Sequence, residues 1–333
     1  MDVVNLKKLY KEAFPYDTEK YIDYFFSTKV NYEKIFTLVR SGELISALYL
    51  IDKRVSFNDQ VVTVPYIVAA GTKLEYRGQK LLEDVMRDAF KYLETNNFPF
   101  VALYPFKHDY YKKYGFIVSD YSYKLNSCGK NNKYIFKETT DIDTMLEMYN
   151  QYFQGVNHIY RDKDVMNKRL HELAAEGGRA YLIYKDEQLL GYTLVSDEVD
   201  ELVFFGDIFD LEKEQFFEGK KSDIFLNEST RNHDNSMIKI CNLEQFLKLL
   251  KYQPDFEYDG IIKFEIKYLE SKVFKINVKN RIISIISVKS EKYDDVICEE
   301  ELAMQAFSLL SKNNQSKFIS GIIPQKAFFV EKF

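Results

Sequence analysis

Two stretches of the sequence carry residues whose types and spacing could do chemistry. Residues 103–116 read LYPFKHDYYKKYGF, with Tyr110, Tyr111 and Tyr114 inside five positions, two lysines between them and a Gly-Phe close. Tyrosine keeps its proton at neutral pH and can donate it locally, so one of these phenols could act as a proton donor. The alternative is an aromatic lock packed into a core. Residues 67–86, IVAAGTKLEYRGQKLLEDVM, pass from a β-rich run through Ala69, Ala70 and Gly71 to a helical run opened by Arg77-Gly78-Gln79-Lys80. A helix N-terminus presents unpaired N–H groups and a partial positive charge, so this turn could hold phosphate oxygens, with Arg77 and Lys80 adding charge. Taken alone, the turn favours the plainer reading of a strand–helix connection with solvated basic residues.

Periodicity shows the elements that must position these groups. After two helical patterns, KIFTLVR, ELISALYLIDKRVSF and QVVTVPYIVAAGT are β-rich runs separated by Ser41-Gly42 and Asn58-Asp59, which predicts an antiparallel meander. Leu82, Val85, Met86, Ala89, Phe90 and Leu93 recur at helical spacing, predicting an amphipathic helix from about Gly78 to Asn96, stopped by Asn96-Asn97 and Pro99. PFVALYP reads as a buried strand, DYYKKY as a short helix and FIVSDYSYKL as a hairpin. Further on, YIFKE reads as a strand, Asp141–Phe153 and Asp164–Glu176 as helices, and AYLIYKDEQLLGYTLVS as a hairpin about Asp186-Glu187. Then IKICNLEQFLKLLK is a strand running into a helix. Three β-rich runs follow, Ile261–Tyr268, Lys272–Val278 and Ile282–Val288, with an acid-capped helix over Glu299–Leu310 near the end. Polar, turn-rich segments at Asn126–Asn132 and Asn227–Ser236 divide the chain into pieces of domain size, 1–130, 131–232 and 233–333.

Composition sets bounds on the partners. The net charge of -5, with both signs mixed along the chain, gives no case for nucleic acid. No apolar run approaches the ~18 residues of a membrane span, and the N-terminus lacks a signal-peptide pattern, so a cytoplasmic location is expected. Three cysteines far apart suit a reducing compartment, and neither they nor the four histidines have metal-ligand spacing, so no metal is expected.

The order of elements in the first piece resembles the GNAT (Gcn5-related N-acetyltransferase) fold. EYRGQKLL is similar to that family's acyl-CoA pyrophosphate loop, R-x-x-G-x-G/A, with Arg77 matching, Lys80 where glycine is usual and Leu82 where glycine or alanine is usual. Over nearly the whole chain the sequence resembles the Eis-like (enhanced intracellular survival) branch. The resemblance rests on EYRGQKLLEDVM, the Y-x-x-[FY]-G-[FY] pattern at Tyr111–Phe116, the three-part layout and the aromatic Phe333 in KAFFVEKF. It implies an α+β protein of two tandem GNAT-type mixed α/β domains followed by a sterol-carrier-like α+β domain. The second domain lacks an R-x-x-G turn and is expected to hold no cofactor. The third is expected to be scaffold that places Phe333.

The resemblance implies an acetyl-CoA-dependent N-acetyltransferase. Its acceptor would be a primary amine of an aminoglycoside-like or polyamine-like small molecule, or a lysine side chain. It assigns the general acid to Tyr111 and the general base to the α-carboxylate of Phe333. Acyl-CoA falls to Ala70, Gly71, Thr72, Arg77, Gly78, Gln79, Lys80, Leu81 and Leu82. The chemistry has two proton problems: a free amine is scarce at pH 7 by about three pKa units, and the leaving thiolate needs an acid beside it. The branch is typically hexameric, so a homo-oligomer is expected. Asp17, Glu19, Asp23 and Glu331 read as surface charges, and Tyr21, Tyr24, Phe25 and Phe26 as a core-facing stripe. A non-catalytic, GNAT-shaped acyl-CoA- or ligand-binding protein is the alternative, kept open by Lys80.

Overall fold

The structure, a computed structural model, describes residues 2–126, 129–224, 233–307 and 316–329. The chain opens with helices α1 (Val3–Ala13) and α2 (Glu19–Tyr24), then strands β1 (Ile35–Arg40), β2 (Glu43–Phe57) and β3 (Gln60–Thr72). Helix α3 (Leu81–Thr95), strand β4 (Phe100–Leu103), helix α4 (His108–Lys112) and strands β5 (Ile117–Val118) and β6 (Tyr121–Asn126) follow. The middle holds β7 (Ile135–Thr139), α5 (Ile142–Tyr152), β8 (Asn157–Ile159), α6 (Lys163–Ala175), β9 (Arg179–Lys185), β10 (Gln188–Val195) and β11 (Val199–Phe204). After α7 (Ile208–Leu211), β12 (Lys221–Ile224) and β13 (His233–Asp234) come β14 (Met237–Ile240) and α8 (Leu243–Leu249). The last part contains β15 (Tyr258–Glu265), β16 (Lys272–Lys279), β17 (Ile282–Ser287), β18 (Asp295–Cys298), α9 (Glu299–Ala306), α10 (Lys317–Ser320) and β19 (Ala327–Phe328).

Tight turns set the register. Ser41-Gly42, Asn58-Asp59, Asp186-Glu187 and Asn280-Arg281 all have positive φ at both positions, the two-residue hairpin geometry whose twist matches that of the flanking strands. The meander β1–β2–β3 forms as the run lengths predict. The side chains of β3 alternate between faces. Ile67, with Leu48, Leu50, Val101 and Leu103, packs under α3. Tyr66 and Val64, with Tyr49, Phe100 and Ala102, face α1, α2 and the C-terminal part.

The fold is mixed α/β, and its largest sheet draws on the whole chain. Its strand order is β19-β8-β2-β3-β4-β14-β5, with β1 also on β2. Strand β8 belongs to the middle of the sequence, and β14 and β19 to its last hundred residues. Strand β14 lies antiparallel between β4 and β5, pairing Met237 with Leu103 and Val118. This overturns the hairpin expected at FIVSDYSYKL. Strand β5 pairs with β14, and β6 pairs with β12 and β13, because the non-local partner fills the slot a hairpin would need. The middle segment forms its own antiparallel sheet, β11-β10-β9-β7, backed by α5 and α6. The last forms β17-β16-β15-β18, with β15 and β18 parallel and α9 joined through a capping box at Cys298.

A buried ion pair ties the last part to the first. Lys239 of β14 is fully buried, and its ammonium meets both Glu299 oxygens at 3.0 and 2.9 Å. The Lys267 N–H also donates to Glu299 Oε1, at 3.0 Å, and the ammonium lies 5.3 Å from the Phe90 ring centroid. Gly115 sits over this pair with φ of +87°, and a Cβ there would fall on Glu299 Oε1 and 2.9 Å from Lys239 Nζ. The glycine of the Tyr-Gly-Phe close is therefore fixed twice, by its backbone conformation and by the ions beneath it.

Candidate active site

Strands β3 and β4 run parallel but pair at only two positions, Tyr66 with Ala102 and Ile67 with Leu103. Strand β4 stops at Leu103 while β3 continues to Thr72, so from Val68 onward that edge of β3 has no strand beside it among the described residues. The gap coincides with a bulge. Leu48 of β2 faces both Ala69 and Ala70, since the register shifts between Ala47↔Gly71 and Tyr49↔Val68. Ala69 takes the left-handed conformation, φ +49°, which is uncommon for a residue with a Cβ. A bulge at the mouth of a parting sheet re-aims main-chain groups into the opening. Ser46 braces it, donating to the Gly71 carbonyl at 2.9 Å and lying 2.9 Å from the Thr72 hydroxyl.

The turn that follows is exposed from Arg77 to Lys80. Arg77 Nε donates to the Thr72 carbonyl at 3.0 Å, folding the turn back onto the strand end. Gly78 has φ of +81°, and Lys80, at the N-cap of α3, has φ 60° and ψ 19°. Lys80 thus takes the left-handed conformation, which glycine adopts freely and other residues rarely. This moves the helix start from the expected Gly78 to Leu81. No side chain caps α3, whereas Asp2, Thr18, Asp141, Asp162 and Asn242 cap theirs. The N-terminus of α3 therefore keeps N–H groups available for an anion. Leu81 and Leu82 are buried, holding this end of the helix to the core.

Tyr111 lies in the same apolar cluster as Leu82 and Leu103. It is 5% exposed, and its ring packs edge-on against Phe106, Tyr110 and Phe116 at 5.7, 5.2 and 5.9 Å. Burial, with Tyr110 adding to it, pushes its phenol well above the ordinary tyrosine value, so it stays protonated at neutral pH. Tyr114 and Phe116 are buried beside it, and Lys112 and Lys113 are exposed.

The C-terminal strand arrives at the opposite face of the same strand pair. Phe329, directly after β19, has both main-chain groups clamped by the first part of the chain. Its N–H donates to Asp120 Oδ2 at 3.1 Å, and its carbonyl accepts from the Tyr66 hydroxyl. Its ring is fully buried against Phe100 and Phe307. Asp120 is 2% exposed and also accepts from the Ser236 N–H at 3.2 Å and the Ser119 hydroxyl at 3.1 Å. Tyr66 stands at the last paired positions before the strands part. Phe333 lies outside the described residues, as do parts of both polar segments, Asn126–Asn132 and Asn227–Ser236.

Sequence patterns did not reveal Ser46, Tyr66 or Asp120 as parts of the site. Tyr66 reads as one more aromatic in a strand, and Asp120 sits in VSDYS with no motif around it. Only the unusual polarity of an acid between two β-rich runs could have drawn notice. Among the described residues, no group of three or more His, Cys, Asp or Glu could hold a metal, and no helix is long and apolar enough to cross a membrane.

The sheet thus parts beside a bulge, an uncapped helix follows it, and a buried tyrosine lies in the apolar cluster beneath. The sequence family described as acetyltransferase (GNAT) domain matches residues 1–119. The match covers about a third of the chain and supports an N-acetyltransferase. Among solved structures the fold is shared with a conserved protein of unknown function from Enterococcus faecalis V583, described as a probable N-acyltransferase. The match has a TM-score of 0.74 and 13% identity, over 99% of this chain and 97% of that one. A GCN5-related N-acetyltransferase from Anabaena variabilis ATCC 29413 matches at TM-score 0.64 and 15% identity, over 97% and 91% of the two chains. Eis1 from Mycobacterium abscessus matches at TM-score 0.63 and 12% identity, over 98% and 95%. No curated protein matches the sequence.

Proposed function

We propose that the protein acetylates a primary amine of a small cationic molecule or a lysine side chain, with acetyl-CoA as donor. The observation that carries this reading is the pairing of a parted strand edge with an uncapped helix end, which together suit a pyrophosphate-linked thioester. The strand edge Val68–Thr72 lies open, and the α3 N-terminus beyond it is uncapped. When bound, acetyl-CoA supplies an acyl group on a sulfur whose thiolate can leave. Main-chain N–H groups of Ala70–Thr72 bind and polarise the acyl carbonyl. Arg77, Gly78, Gln79, Lys80, Leu81 and Leu82 hold the phosphates through main-chain N–H groups, with the Arg77 guanidinium adding charge. Tyr111 offers its phenolic hydrogen to the leaving thiolate.

In the same reading the α-carboxylate of Phe333 removes the proton of the attacking amine, directly or through water. The clamp on Phe329 supports it. Four residues span at most about 14 Å when extended, and they start beside the last paired positions of β3 and β4. The division into a GNAT unit, a second GNAT-like unit without cofactor and a sterol-carrier-like scaffold, and assembly as a homo-oligomer, belong to the same proposal.

Isothermal titration with acetyl-CoA tests the reading. One site per chain is expected, and absence of binding at millimolar cofactor sinks it in favour of a GNAT-shaped protein without chemistry. Lys80→Gly refines the test. The backbone already has the glycine conformation, so the variant is expected to keep the parent Kd and to gain about 1 kcal/mol of stability from relief of a left-handed residue. A tenfold weaker Kd would assign a phosphate contact to the lysine ammonium instead.

The clamp has a pH signature. Burial pushes the Asp120 carboxyl up to about 6, against hydrogen bonds from Phe329 and Ser236 that pull it down. Its folded value lies above the unfolded one, so the native state holds the proton more tightly. The stability this gives is complete below about pH 4 and lost as the pH rises through about 6, about 3 kcal/mol in all. Asp120→Asn is expected to remove that slope from Tm against pH. It also leaves one of the two N–H groups facing an amide donor, because asparagine accepts on one oxygen only. The parent kcat is then expected to fall about tenfold at constant acetyl-CoA affinity, as an unpaired buried N–H loosens the C-terminal segment by ~1–3 kcal/mol.

A further inference from the structure

A second cavity lies away from the cleft. Strand β2 is covered on one edge by β1 up to Tyr49 and by β8 from Val55, leaving residues 50–54 without a strand on that edge among the described residues. The Tyr160 N–H donates to the Arg54 carbonyl at 2.8 Å, so the main chain of Arg54 faces this edge. Strand alternation turns the N–H and carbonyl of Asp52 the same way. A cavity of about 450 Å³ opens on the gap, floored by Leu50–Arg54 and walled by the segment after α2 and by α6. That is the size of a small-molecule site.

Six basic side chains line the cavity against two carboxylates. Lys29, Lys34, Arg54 and Lys168 each hold an acidic partner, namely Glu172, Asp52, Asp162 and Asp164. Arg169 is the most deeply placed: it is 5% exposed, its Nη1 forms an ion pair with Glu172 at 3.7 Å, and its buried Nε has no hydrogen-bond partner. A buried Nε–H without an acceptor is costly unless a ligand oxygen completes it. Arg54, stacked 4.3 Å from the Tyr160 ring centroid, stiffens the opposite wall.

We propose that this cavity is a binding site for a small polyanion bearing carboxylate or phosphate groups, with Arg169 as its buried anchor and Lys53 and Lys168 at its rim. It is separate from the acyl-CoA cleft: Asp52 lies five residues along β2 from Ala47, which pairs with Gly71, roughly 17 Å away. The cationic acceptor of the acetyl transfer does not suit these walls, so the ligand is a second one.

The test titrates the full chain with citrate in one arm and inorganic pyrophosphate in another, which distinguishes the carboxylate from the phosphate source. Binding with one site per chain is expected in at least one arm. It is expected to weaken at least tenfold in Arg169→Met, weaken severalfold in Lys168→Gln on the exposed rim, and stay unchanged in Arg77→Ala. Lys168→Gln keeps the test decisive should Arg169→Met fail to fold. Absence of binding in both arms at 10 mM would overturn the proposal. So would binding that is lost in Arg77→Ala and indifferent to Arg169 and Lys168, which would place the anion at the α3 N-terminus.

Discussion

Tyr111→Phe is expected to turn over amine about a hundredfold to a thousandfold more slowly than the parent while binding acetyl-CoA equally well. The phenylalanine fills the same slot among Phe106, Tyr110 and Phe116, so the loop keeps its shape and only the hydroxyl is lost. The size of the loss follows from what the hydroxyl does. Burial raises the phenol's pKa, making it a weak acid for full transfer and a secure hydrogen-bond donor to a thiolate. A hydrogen bond to an ionised acceptor is about twice as strong as a neutral one and is made only as charge develops on sulfur. The loss therefore appears in kcat. The same raised pKa means that the parent rate does not fall as pH approaches ~10, where an ordinary tyrosine ionises. A variant with unchanged kcat would make Tyr111 an aromatic lock and nothing more.

Lys239→Ala is expected to lower stability by about 3–5 kcal/mol, read by urea denaturation at neutral pH. Glu299 would be left buried with a single N–H donor, that of Lys267, and its carboxyl, already raised by burial and held down chiefly by Lys239, would be driven further up. The double variant Lys239→Met, Glu299→Leu separates the worth of the pair from the cost of breaking it. Two apolar side chains of similar volume are expected to recover most of the lost stability, since a buried pair repays little beyond its own desolvation. A single variant within 1 kcal/mol of the parent would mean that water reaches Glu299.

The parts of the fold carried by local pattern were legible in the sequence. The meander follows from β-rich runs broken by two-residue turns, and α3 from Leu82, Val85, Met86, Ala89, Phe90 and Leu93, all buried in one cluster. What escaped was non-local. FIVSDYSYKL has the alternation of a hairpin, but Met237–Ile240 takes the place of its second strand, and period-2 patterning cannot name a partner 120 residues away. Of the residues proposed for the site, Arg77, Gly78 and Tyr111 stand out in the sequence by type and spacing. Ser46, Tyr66 and Asp120 were not, because their roles lie in what they hold: a strand end, a carbonyl and an N–H of distant residues. Lys80 departs from the sequence pattern, yet it is held in the left-handed conformation that glycine adopts freely.

Strand β14 gives the protein a particular schedule on the ribosome. The central sheet of the acetyltransferase domain cannot close when its first 126 residues emerge, since β4 and β5 have no common neighbour until residues 237–240 arrive. During that interval β4 presents an unpaired apolar edge, the kind of surface on which chains pair wrongly. The middle sheet, whose strands are all local, is free to fold first. The first part of the chain to be synthesised is thus completed late, and its central sheet closes only after residues 237–240 have been made.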